Sequence, residues 1–410
     1  MKVRTPFRLF VFGMLLFLIS ASPAIPQPTQ QTARPAAAGP IAIPFELVNR
    51  HVVLKVKVNN SRPLSFVLDT GAQFAIINLD LARDLNLKLE GQVKMAGAGA
   101  GLSVGSFVRD STFTIPGYAG FSQPLTLALP LGQLAPRLGQ DFDGIVGSEF
   151  IKKFVLELDY ESRTIILHDK DRFAYTGAGA SIPIKLEHGH PIIEAFVTPI
   201  GSDPIKGRFV FDIGSGGALA LHSPFVTERR LLDTEMKTVK ALGAGAGGEI
   251  TGRIGRVSEL KIGKFRISNP VTLFSQDKKG AFASSDLQGN IGAQIAGKFT
   301  LFLDYNHDRI IFEPNASFAE PFNRATSGLR VQADGKDYKT FRIADVIDES
   351  PASEAGLQKD DIITVIDGRP TADLTLSKLN EMFERAVSYK LTVRRGELTL
   401  QVKFTPRRLV

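Results

Sequence analysis

The chain has no cysteine. That excludes disulfides, thiol nucleophiles, Cys-ligated zinc and a lipidated N-terminal cysteine. It is compatible with an oxidising compartment without requiring one. Histidine is sparse, 6 in 410 residues, and only His188-Gly189-His190 brings two of them close in sequence. No further ligand cluster accompanies that pair, so it reads as two surface residues on one strand face, and no metal is expected. A Gly-Lys-Ser/Thr element is missing, which removes a P-loop; no cofactor is expected. The formal net charge is +7. No Lys/Arg stripe interleaved with aromatics accompanies it, so nucleic acid is not an expected partner. Past the N-terminal region no run is long and apolar enough to span a membrane.

What is present begins with a leader pattern. Lys2, Arg4 and Arg8 precede an apolar run over residues 9–19 that only Gly13 interrupts, and small residues follow at 20–24. That order predicts a secretory signal over residues 1–24 and a periplasmic or secreted protein; an uncleaved anchor is the alternative. Its removal takes three positive charges and leaves a net charge of +4. Residues 25–40 are rich in Pro, Gln, Ala and Thr and predict a flexible linker. From Ile41 the texture changes: Val52, Leu54, Val56 and Val58 alternate with Val53, Lys55 and Lys57, the period of a half-buried strand.

The chain then repeats itself. Ser65-Phe66-Val67-Leu68-Asp69-Thr70-Gly71-Ala72 recurs 143 residues later as Arg208-Phe209-Val210-Phe211-Asp212-Ile213-Gly214-Ser215. Gly97-Ala98-Gly99-Ala100-Gly101 recurs 146 later as Gly243-Ala244-Gly245-Ala246-Gly247. Asp143-Gly144-Ile145-Val146-Gly147 recurs 145 later as Gln288-Gly289-Asn290-Ile291-Gly292, and the block from Phe154 to Tyr160 recurs at the same offset from Phe299 to Tyr305. A period this long is a duplicated domain, not a solenoid. It sets lobe one at residues 41–171 and lobe two at 181–315, each mostly β. A short helix follows each aspartate loop. Ser223-Pro224 predicts the N-terminus of the second, with Ser223 as cap.

An apolar strand ending in Asp-Thr-Gly delivers a carboxylate to the mouth of a β core. One copy is compatible with an ordinary Asx turn. Two copies in duplicated lobes can bring Asp69 and Asp212 to a shared axis. Carboxyl groups that close share one proton, so one can act as base and the other as acid. No metal or covalent nucleophile is needed.

These residues resemble the retropepsin and pepsin superfamily. Asp69-Thr70-Gly71-Ala72 matches the retroviral-type motif, and Ile145-Val146-Gly147 resembles the element that packs behind the aspartate loop. The resemblance implies an all-β, bilobal acid protease fold and an aspartic endopeptidase with Asp69 and Asp212 as its catalytic pair. Thr70, Gly71, Gly214 and Ser215 support the loops, Ser215 by donating to Asp212. Gly97, Gly99, Gly101, Gly243, Gly245 and Gly247 stand where the family places its flaps; plain loop and a phosphate cradle are the competing readings. Lobe two departs from the pattern. Ile213 replaces the Thr or Ser whose hydroxyl crosses between lobes, and Asn290 replaces an apolar residue. A catalytically silent peptide binder is therefore the alternative function.

A third composition follows Pro321. The stretch from Ser350-Pro351-Ala352 through Gly356-Leu357, then Asp361 to Gly368, is similar to the bacterial PDZ signature. It predicts a small α+β PDZ domain over residues 327–410. The implied partner is a C-terminal peptide, in addition to a peptide or protein substrate in the cleft. Tyr338, Lys339, Thr340, Phe341 and Ile343 are the expected peptide-binding residues. A PDZ fold used only to pack on the protease is the competing role.

Overall fold

The computed structural model describes residues 39–99, 101–241, 243–245, 247–322 and 327–410. The expected signal and nearly all of the expected linker lie outside the described residues, as do Ala100, Leu242 and Ala246 in the glycine-rich segments. No helix among the described residues is long and apolar enough to cross a membrane.

Both lobes are wound the same way, because equivalent apolar runs make equivalent pairings. In lobe one the aspartate strand Leu64–Leu68 pairs in parallel with Gly144–Val146. That strand pairs antiparallel with Ala75–Asn78, which pairs in parallel with Tyr118–Leu129. Lobe two repeats the path: Ile205–Asp212, Gly289–Gly292, Leu219–Leu221, Val271–Ser275. In each lobe the residue at the head of the returning block caps the aspartate strand's free amide. Asp143 accepts from Ser65 N at 2.8 Å, and Gln288 Oε1 from Arg208 N at 2.7 Å.

Alternation places the core. In the strand His51–Val58, Val52, Leu54, Val56 and Val58 are buried and Lys55 and Lys57 are exposed. Val53 is buried as well, because it faces a second apolar cluster with Ile76 and Ile145.

A six-stranded antiparallel sheet joins the lobes, three strands from each. Its centre pairs Val155–Asp159 with Phe299–Asp304. Glu157 lies opposite Phe302, its own repeat partner 145 positions on, so the pseudo-two-fold axis passes between them. On the lobe-two side, aromatic packing anchors the sheet. Phe312 is fully buried and meets Phe211 edge-on at 5.1 Å and Phe299 at 5.2 Å. Phe211 immediately precedes Asp212, so this contact ties the joining sheet to the second aspartate strand.

The short helices follow the aspartate loops as the sequence predicts. Leu79–Asp84 is capped by Asn78. In Ser223–Glu228 the capping position is His222, not Ser223; the Ser223 hydroxyl instead donates to the Asp277 and Phe282 carbonyls.

The C-terminal part has its own core, including Phe341, Ile343, Ile363, Leu379, Phe383, Leu391 and Phe404. Ser350 caps the helix Pro351–Glu354, which is followed by Gly356 at φ 77°. Ile362–Ile366 is a strand with a bulge between Ile363 and Val365, and Asp367-Gly368, both at positive φ, turn it back.

Replacing Phe312 by Ala removes the ring that ties the joining sheet to the second aspartate strand. We expect a loss of about 3–5 kcal/mol, read as a lower midpoint in chemical denaturation.

Candidate active site

The two aspartate loops interlock at the axis. Gly71 and Gly214 are needed for close approach rather than for an unusual backbone angle, since neither has positive φ. A Cβ on Gly71 would lie 2.6 Å from Asp212 Oδ1; one on Gly214 would lie 2.2 Å from Asp69 Cγ. Each glycine thus leaves room for the other lobe's carboxylate, which no other residue could do.

Asp69 accepts from the Gly71 amide at 2.7 Å and shares a side-chain hydrogen bond with Asp212. Burial, and then the Asp212 charge, push the Asp69 carboxyl well above the usual carboxylate range; the Gly71 and Gly214 amides pull the other way and lose. Asp212 accepts from Ser215 N at 3.1 Å and from Asn290 Nδ2 at 2.9 Å. The donor on Ser215 is its backbone amide, which any residue would supply. The expected contribution of its hydroxyl is corrected accordingly.

Thr70 joins the lobes with one hydroxyl. It donates to the Phe211 carbonyl at 2.6 Å and accepts from the Ile213 amide at 3.0 Å. Thr70 and Ile213 are both fully buried. The missing lobe-two hydroxyl therefore leaves a one-sided bridge, and Ile213 spends its side chain on the core instead.

The glycine-rich segments meet each other. Gly101 N donates to Gly247 O at 2.6 Å, Gly247 N to Ala98 O at 2.8 Å, and Ala281 N to Gly97 O at 3.2 Å. Added Cβ atoms on Gly99 and Gly245 would strike the facing backbone at 2.6 Å in both cases. Gly243 opens the lobe-two hairpin, paired with Ile250.

Two functional neighbours escaped the sequence reading. His190 is not a surface residue. It is half-buried, and its ring lies close to the Gly71 backbone and within reach of the Asp212 charge. Burial holds its pKa below the usual imidazole value against both of those effects. His51 begins the equivalent strand of lobe one and lies beside Gly216 in the second loop. That shared strand position was the signal available. Tyr305 is the other neighbour, and its signal was the repeated Asp-Tyr at 159–160 and 304–305. It is buried, and burial with the Asp69 and Asp212 charges pushes its phenol well above the usual range, so it stays neutral.

Residues 54–150 match the aspartyl protease family, and residues 317–402 match the PDZ domain. The chain carries a retropepsin-like aspartyl protease domain and a PDZ domain. The first match lies within lobe one; the repeat and the shared strand path extend the architecture to lobe two. No curated protein matches this chain. Among solved structures, the crystal structure of Basic 7S globulin from soybean is similar over 69% of this chain and 97% of that one, at 11% identity and a TM-score of 0.40.

The PDZ domain corrects the expected peptide site. Thr340, Phe341 and Ile343 lie on a strand paired on both sides, and Phe341 and Ile343 are fully buried in its core, so none offers a free edge. Tyr338 and Lys339 form the preceding turn. Tyr338 reaches Asp141 of lobe one at 3.3 Å, and Lys339 bonds the Leu374 carbonyl at 2.9 Å. The edge strand is Leu329–Asp334, with the helix Leu376–Phe383 alongside it. A PDZ ligand adds between such an edge and such a helix. Lobe one already covers this place: its helix Ala135–Leu138 lies against the same strand, and Gly139 abuts Leu376. Asn49 fastens the contact, binding the Arg137 and Leu138 carbonyls and accepting from Asn380 at 3.0 Å. Arg50 pairs with Glu384.

Thr70→Val leaves the buried Phe211 carbonyl and Ile213 amide unpaired. We expect a loss of about 2–4 kcal/mol in thermal or chemical unfolding, largely recovered by Thr70→Ser. Leu138→Asp sets a charge into the contact with the PDZ domain. Small-angle scattering should show a larger radius of gyration, while circular dichroism stays unchanged.

Proposed function

We propose that the protein is an aspartic endopeptidase whose one chain supplies the whole catalytic pair. The observation that carries this is the close approach of Asp69 and Asp212 on interlocked, duplicated loops, each carboxylate filling the space a Cβ would take on the other loop's glycine. Asp69 holds the proton and Asp212 the charge. Asp212 takes a proton from water as the water oxygen attacks the scissile carbonyl carbon, and Asp69 gives its proton to the carbonyl oxygen. The resulting diol collapses, the C–N bond breaks, and the amine leaves with a proton returned from the pair. The meeting glycine-rich segments supply a cover of backbone donors and acceptors for an extended peptide. The PDZ domain serves recognition of a peptide or protein, and a ligand entering beside Leu329–Asp334 must displace lobe one. The charged, apolar and small-residue order of residues 1–24 supports export to the periplasm or beyond.

Cleavage of a denatured protein, stopped by a statine-type inhibitor, separates this enzyme from a silent binder. Asp69→Asn and Asp212→Asn should each lower kcat at least about a thousandfold with an unchanged melting temperature. Near-normal turnover in Asp212→Asn would reduce the second loop to a structural part. The pH profile should be bell-shaped. Below the lower macroscopic pKa of the pair both carboxyls are protonated and the base is lost. Activity then falls again as pH rises through the raised pKa of Asp69 and the acid is lost.

A further inference from the structure

The duplicated lobes differ at one position directly behind the aspartates. Asn290 and Ile145 occupy equivalent places: Ile145 lies opposite Val67, and Asn290 opposite Val210. Asn290 sits between two strands, Ile205–Asp212 and Leu219–Leu221, where asparagine is disfavoured. A polar amide there is tolerated only if it is bonded. Both of its ends are. Nδ2 donates to Asp212 Oδ2 at 2.9 Å, and Oδ1 faces His222 Nε2, also at 2.9 Å.

Because the amide nitrogen is committed to a carboxylate, Oδ1 must accept, so His222 carries its proton on Nε2. His222 is 3% exposed and stacks on Phe282 at 5.4 Å. Its backbone is fixed by a bond from His222 N to Gln288 O at 2.9 Å. A ring held in this way cannot turn away from Asn290. Burial holds its pKa below the usual imidazole value, against the hydrogen bond with Asn290.

We propose that Asn290, clamped by His222, is a positioning residue that decides which aspartate is charged, keeping Asp212 as base and Asp69 as acid. A donor to the ionised form favours ionisation, and lobe one has only the Ile145 methyl groups at the same place. The other groups facing Asp212 do not create this bias. Asp69 is the partner itself, the Ser215 amide on Asp212 is matched by the Gly71 amide on Asp69, His190 is held toward neutrality by burial, and Tyr305 is a neutral phenol. The catalytic consequence rests on the peptidase reading; the bias in charge does not.

The test uses Asn290→Ile, which installs the lobe-one residue, and His222→Phe, which keeps the ring packing but removes the donor. The acidic limb of kcat/KM should move up by roughly one pH unit in Asn290→Ile and by less in His222→Phe. kcat should fall about tenfold with KM little changed. Carbon-13 titration of the aspartate carboxyls should show the Asp212 transition rising in both variants, and this is readable without turnover. If Asn290→Ile does not fold, Asn290→Ser, too short to reach Asp212, takes its place with the same expectation. Coincident pH profiles and unchanged carboxyl titrations in folded variants would overturn the proposal. If the parent shows no turnover while the titration moves as stated, the peptidase reading fails and the positioning role stands.

Discussion

Two carboxyl groups held against each other at a pseudo-two-fold axis impose most of this architecture. Such a pair resists closure, because bringing like charges out of water is costly unless they share a proton and accept donors. The protein meets the requirement by removing side-chain atoms on the facing loops: the space a Cβ would fill at Gly71 or Gly214 belongs to the opposite carboxylate. Loops this close tolerate little relative motion of the lobes. The six-stranded joining sheet and the Thr70 bridge both restrain that motion.

Duplication supplies two equal loops, but acid–base chemistry needs them unequal. The inequality is built from few residues. Ile213 forgoes the second cross-lobe hydroxyl and fills core space. Asn290 brings an amide to one carboxylate where Ile145 brings only methyl groups to the neighbourhood of the other. The two departures of lobe two from the expected pattern thus have different characters. One is absorbed by Thr70, whose single hydroxyl serves a donor and an acceptor at once. The other adds an interaction that lobe one lacks.

The PDZ domain is a separate core attached through a polar and apolar seam. Asn49 is its pivot, since one side chain contacts lobe one and the PDZ helix together. The same turn leads directly into His51, which lies beside the second aspartate loop. The docked domain therefore holds a turn that lies beside the second aspartate loop. With lobe one covering the edge strand, addition of a further strand there would require the domain to undock.

Much of this was legible in the sequence because it is local or periodic. Alternating residues specified the strand His51–Val58, the fixed offset of four blocks specified two equal lobes, and Asp-Thr-Gly at the end of an apolar run specified where a carboxylate would emerge. The PDZ domain was marked by the stretch from Ser350 to Leu357 and from Asp361 to Gly368. The tertiary structure alone decided which groups meet. Asn290 and Asp212 are 78 residues apart, and His222 and Asn290 are 68 apart, so no local pattern joins them. His190 read as a surface residue because no further ligand cluster accompanies it in sequence; only lobe packing brings it to Gly71. Phe341 and Ile343 read as ligand contacts because a strand's pairing state is invisible in its own residues, and a strand bonded on both sides has no edge to offer. Sequence fixes what each segment can do alone, whereas a hydrogen bond or a shared proton exists only once distant segments are brought within reach.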